Sequence, residues 1–178
     1  MLIIKKMYVE TDWEDIRSRI ATGTFEVGDE IKINHCFWRV LDVSENEIFI
    51  WNHHCDCRGP REFFQFSEAD SNDYEDSDLQ KYACGEFLKT VPAEMLELVT
   101  EEGFSPLSLD EVYMYLSGED ERTVSDGNGY MYSWWTRSGD APDTDNAWYV
   151  GKDGNPHLES AVYDFCFAPA CRLRVKPE

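Results

Sequence analysis

Apolar residues along the chain recur at more than one period, and the changes of period mark out the elements. Over residues 11–22, Trp13, Ile16 and Ile20 repeat at helical spacing and predict an opening helix. Thr11 followed by Glu14 gives a capping-box pattern for its start, and Gly23 gives its end. Three short runs rich in β-branched and aromatic residues follow at 30–34, 37–43 and 47–52. Val27-Gly28-Asp29 reads as a turn before them, and Ser44-Glu45-Asn46 as a hairpin connection between the last two. Both faces of the run at 37–43 carry apolar residues, which predicts a central strand.

Residues 53–76 read as irregular and polar. Ser77-Asp78 opens a predicted helix over 79–91, interrupted by Gly85, and Pro92 opens a second over 92–102. Asp110 to Ser117 (DEVYMYLS) reads as a strand, followed by a polar turn or short helix. Strand patterns recur at 130–136, 147–151, 157–163 and 165–175, separated by turns at Gly139 to Pro142 and Asp153 to Pro156. The expectation is one α+β domain over residues 1–178, with two or three helices packed on antiparallel strands joined by long loops.

Composition narrows the function classes. The chain has 178 residues, 36 acids and 16 bases, and a net charge of −20. That balance argues against direct binding of nucleic acid or of an anionic membrane surface. With 14% aromatic and 42% hydrophobic residues, it is not the composition of a disordered acidic chain. The acids spread over both halves, with 19 acids and 10 bases in residues 1–90 and 17 and 6 in 91–178. Six of them fall between Glu68 and Asp78, a run read as a solvated loop. No secretory leader pattern and no apolar run near ~20 residues is found, so a cytoplasmic protein with reduced cysteines is expected.

Candidate chemistry is sparse. His53, His54, Cys55, Asp56 and Cys57, with His35 and Cys36 upstream, supply zinc-ligand types without the usual knuckle spacing. Cys166 and Cys171 are spaced unlike a C-x-x-C redox pair and read as core. Asp143, Asp145 and Asn146 place hard oxygen ligands in one loop, a pattern open to Ca²⁺. Of the adjacent Trp134 and Trp135, one is expected in the core and the other near the surface. Arg137 then sits at a strand end, where a guanidinium can fix a carboxylate or a loop carbonyl. No phosphate loop, H-E-x-x-H or G-x-S-x-G occurs, and no cofactor is expected.

The order of motifs resembles a widespread bacterial family of uncharacterised domains. The resemblance rests on Trp13 to Asp29, on WRVLDV at Trp38 to Val43, and on SDLQKYACGEF at Ser77 to Phe87. It continues with DEVYMYLS at Asp110 to Ser117, WWTRS at Trp134 to Ser138, Ala147 to Gly154, and CFAPACRL at Cys166 to Leu173. That family is similar to C-type-lectin-like domains and to the formylglycine-generating enzyme fold. The resemblance implies a C-type-lectin-like mixed fold acting as a noncatalytic binding module for a macromolecule or small ligand. The residues expected to bind are Trp135, Arg137, Asp143, Asp145 and Asn146, because aromatic and Arg anchors dominate interfaces and loops carry function. Two alternatives follow from other features. One is an acidic mimic or inhibitor of a basic nucleic-acid-binding protein, suggested by the charge. The other is a cysteine- or metal-dependent enzyme.

Overall fold

The computed structural model describes residues 8–55 and 62–176. In chain order, strand β1 (Tyr8–Glu10) and helix α1 (Trp13–Thr22) lead into β2 (Glu30–Ile33), β3 (Cys36–Ser44) and β4 (Glu47–Cys55). Next come β5 (Phe63–Gln65), α2 (Asp78–Cys84), α3 (Ala93–Leu96), β6 (Ser105–Pro106) and α4 (Leu109–Tyr115). The remainder is β7 (Val124–Asp126), β8 (Met131–Tyr132), β9 (Trp134–Gly139), β10 (Asn146–Val150), β11 (Pro156–Ser160), β12 (Asp164–Cys166) and β13 (Pro169–Arg174). An eight-stranded sheet runs β1-β2-β3-β4-β13-β6, with β7 beside β4 and β8 beside β7. A five-stranded sheet runs β11-β10-β9-β12-β5. Among the described residues only β1–β2, β4–β7 and β9–β12 pair in parallel, so this is a single α+β domain of mostly antiparallel strands and few helices.

Alternation along β4 explains how the layers stack. Ile48 and Ile50 point to one cluster with Ile16 and Ile20 of α1, Trp38, Met95 and Leu98. Phe49 and Trp51 point to a second cluster with Val112 and Leu116, Trp134 of β9 and Ala170 of β13. A third cluster covers the far side of the smaller sheet, where Trp135 packs with Phe66 and with Leu79 and Ala83 of α2. Strand β9 is therefore apolar on both sides. Trp134 and Trp135 are both fully buried, which corrects the expectation that one would lie near the surface. Their indole N–H groups donate to Arg122 O and Phe64 O, both at 2.9 Å, so neither polar atom is stranded.

Local chemistry sets the helix ends. Asp12, not Thr11, caps α1 by accepting from Glu14 N and Asp15 N at 3.0 and 3.2 Å. Thr11 instead donates to Lys32 O. Gly23 ends the helix at φ 64°, with Thr24 N reaching back to Arg19 O. The predicted helix over 79–91 stops at Cys84, before Gly85, and resumes only as a 3₁₀ turn at Phe87–Thr90. The second predicted helix shortens to the four residues of α3.

The largest departure is at 110–117. This segment is a helix, α4, because Ser108 and Glu111 form a reciprocal capping box: Glu111 N donates to Ser108 Oγ at 3.1 Å and Ser108 N to Glu111 Oε2 at 2.8 Å. Val112 and Leu116, four apart, are buried, while Met114 is 71% exposed. The region read as irregular also holds order: β4 continues through His53 and His54, and β5 forms at 63–65. The run at 165–175 divides into β12 and β13, which join different sheets.

Candidate functional site

A cleft of about 340 Å³ opens where the edge of the larger sheet meets α4 and β9. Its floor is Phe49, Ala170 and Cys171, and its polar wall is Glu102, Ser105, Glu111, Arg137 and Arg172. The chain brings these together from four places. Strand β4 carries Phe49 and β13 carries Arg172, which pair directly across the ladder. The β6–β13 pairing fixes Ser105 opposite Ala170. The capping box of α4 presents Glu111, and β9 extends past its buried tryptophans to present Arg137.

Arg137 is the best-anchored cation of the wall. Its Nη1 donates to Pro106 O at 2.8 Å and to Glu111 Oε2 at 2.5 Å, and its Nη2 donates to Glu111 Oε1 at 2.9 Å. This bidentate pair is part-buried, with side chains 30% and 21% exposed. Burial alone would raise the Glu111 carboxyl, but the bonds from Arg137 and Ser108 outweigh it and hold it below its usual 4.5. Arg172 lies 4.6 Å above the Phe49 ring and donates to Glu47 at 3.1 Å, with its Nε 3.6 Å from Glu102. Glu47 also accepts from Arg174 at 2.7 Å. The Cys171 thiol is pushed well up by burial.

Of the five residues expected to bind, Arg137 lines this cleft. Trp135 lies in the core beneath, with its N–H already bonded, so it supports the strand and cannot touch a ligand directly. Asp143 and Asp145 lie in the β9–β10 connection and Asn146 opens β10, and Asn72 pins all of this segment from outside. Its Nδ2 donates to the carbonyls of Asp140, Asp143 and Asn146 at 2.8, 2.9 and 2.8 Å, and its backbone N–H to Thr144 O at 2.8 Å. Asp143 in turn accepts from Asp145 N at 3.1 Å and from Asn146 Nδ2 at 2.8 Å. Both carboxylate oxygens of Asp143, one of the residues open to a cation in the sequence, are therefore engaged in holding the turn.

The cysteine and histidine candidates separate. Cys166 and Cys171 are buried free thiols in different core clusters, as expected for packing. Cys84 is an exposed free thiol. Cys36 is disulfide-bonded, which corrects the expectation of reduced cysteines at that position. His53 Nε2 lies 3.0 Å from Glu30, and His54 Nδ1 meets Ser125 Oγ at 2.8 Å. Asp56 and Cys57 lie outside the described residues. Among the described residues no group of three His, Cys, Asp or Glu side chains could hold a metal ion.

Glu111, Ser105, Glu102 and Arg172 were not singled out by the sequence. The legible signal was S-L-D-E at 108–111, a capping box that fixes where Glu111 points. Among the described residues no helix is long and apolar enough to cross a membrane. No protein-family model matches the chain, nor does any curated protein or solved structure.

Proposed function

We propose that the protein is a noncatalytic binding module of C-type-lectin-like type, with the cleft at Arg137 and Arg172 as its recognition site. The observation that carries this reading is the rigid mounting of Arg137. Its guanidinium is locked by a bidentate carboxylate and a backbone carbonyl, yet it still lines an open cleft. Preorganised cations of this kind favour recognition, because little side-chain entropy is lost when a ligand arrives.

The reactive groups of the cleft are set for structure. Glu111 is held ionised by Arg137 and is a poor base at neutral pH. Cys171 is held as a thiol, not as the thiolate that attacks or ligates. The connections at 107–108 and 140–145 flank β9 in the way that loops flank a rigid scaffold.

The test is a nuclear magnetic resonance titration of the isotope-labelled protein with pools of small polar metabolites. The expected result is a set of amide shifts centred on Ser105, Glu111, Arg137 and Arg172. Shifts that map to a different face, or none from any pool, would sink the reading.

A further inference from the structure

We propose that the cleft takes a small zwitterion of amino-acid type, with its carboxylate on the Nε–Nη2 edge of Arg137 and its ammonium on Glu102. The inference rests on reading this cleft as the recognition site and adds the class of ligand.

An arginine offers five N–H donors in a fixed fork. Glu111 occupies the end-on pair, one from each Nη, and Pro106 O takes the outer hydrogen of Nη1. What remains is the side-on pair, Nε–H and the inner Nη2–H. Among the described residues no acceptor meets either. These two donors are parallel and match the two oxygens of one carboxylate. Glu111 cannot swing across to cover them, because Ser108 N holds it at 2.8 Å as part of the α4 cap.

The second anchor is Glu102. Its side chain is 71% exposed, and its nearest cation, Arg172 Nε, is 3.6 Å away. That distance is beyond a good hydrogen bond, so the carboxylate keeps its accepting capacity for a ligand cation. Ser105 adds a hydroxyl to the same wall.

Charge decides between a zwitterion and a plain anion. The chain carries −20, so an oxyanion such as phosphate would enter against the field of the whole molecule. The four charged wall residues, Glu102, Glu111, Arg137 and Arg172, cancel one another, and a zwitterion leaves that balance unchanged. A volume of about 340 Å³ is at the lower end of the ~300–1,000 Å³ typical of ligand pockets, which suits one amino-acid-sized molecule.

The experiment is calorimetric titration and thermal shift at low ionic strength. The probes are the common amino acids singly, with acetate, ethylammonium and inorganic phosphate as comparators. One or a few amino acids are expected to bind and raise Tm, while acetate and ethylammonium do not. Arg137→Lys keeps the charge but loses the fork, and should weaken binding by about tenfold or more. Glu102→Gln lies on the surface and leaves the fold intact, and it too should weaken binding by about tenfold. If phosphate or acetate binds through Arg137 and Glu102→Gln changes nothing, the zwitterion is overturned while the recognition cleft stands. If no probe binds the wild-type protein, the zwitterion falls, and the recognition cleft stands or falls by the metabolite titration.

Discussion

Glu111 caps α4, clamps Arg137 and forms one side of the cleft, so its ionisation couples fold to site. Its folded pKa lies below its usual 4.5, so its contribution is fully present above about that value and is lost as pH falls through the lower, folded one. Glu111→Gln should therefore lower stability by about 2 kcal/mol at pH 7, since it leaves a part-buried guanidinium half-paired. It should also flatten the acid limb of the stability curve below pH 4.5. Denaturant melts of both proteins from pH 7 to pH 3 test this, and parallel acid limbs would disprove the coupling. The kind of partner Arg137 takes was legible, since a guanidinium at a strand end reads as holding a carboxylate or a carbonyl, and it holds both. The identity of that partner was not legible, because Glu111 lies 26 residues away in a segment that reads as a strand. Asn72 was equally hidden. It sits in an acidic run that reads as mere solvated loop, yet its one amide serves three carbonyls of the 140–146 turn. Gly139 has room for no side chain there, as an added Cβ would lie 2.7 Å from Asn72 O. Asn72→Ala should cost about 1–3 kcal/mol and raise amide hydrogen exchange across 140–146, without changing exchange in β3.

At the scale of elements, α4 shows why a hydrophobic pattern alone can mislead. Val112, Met114 and Leu116 alternate as a strand would, while Val112 and Leu116 also stand one helical turn apart. The two readings part at Met114, which a strand would bury beside Val112 and the helix turns outward. Met114→Lys should therefore change stability by less than about 0.5 kcal/mol, whereas Val112→Lys should prevent folding by placing a charge in the second core cluster. Urea midpoints and circular dichroism distinguish them, and a severe Met114→Lys would restore the strand. The decisive cue was polar: Ser108 and Glu111 satisfy each other's backbone N–H groups, and no strand uses that arrangement. Strands with dense β-branched and aromatic runs were the legible part. Those at 30–34, 37–43 and 47–52 form as read, with the middle one central in the sheet. The pairing of β4 with β13 lay beyond local pattern, because it joins distant parts of the chain and brings Arg172 onto Glu47, 125 positions away.

At the scale of the whole molecule, two sheets with apolar surfaces on both sides of β9 account for the high aromatic content, and the acids account for the edges. Many of the acids have local structural work: Asp12 caps α1, Asp73 caps the turn at 74–76, Asp78 accepts from Glu68 N, and Glu121 accepts from Ser117 and Gly118. Such placement uses carboxylates where helix and turn N-termini expose N–H groups, and it scatters them instead of aligning them in rows. The excess over the 16 bases is still uncompensated and repels itself. Salt acts on two opposed terms here. It weakens exposed pairs such as Arg17–Glu97, each worth about 0.5 kcal/mol, and it screens the repulsion among the twenty surplus negative charges. Between 0.01 M and 0.15 M NaCl the Debye length falls from ~30 Å to ~8 Å, which spans most distances across a chain of this size. The long-range repulsion is therefore lost while contact pairs at 3 Å are screened less, and Tm should rise by about 3 °C or more. Calorimetric scans across that range measure it. A Tm that falls with salt would show that attractive pairs outweigh the surplus charge, and the field of the whole chain would then no longer argue against an anion in the cleft.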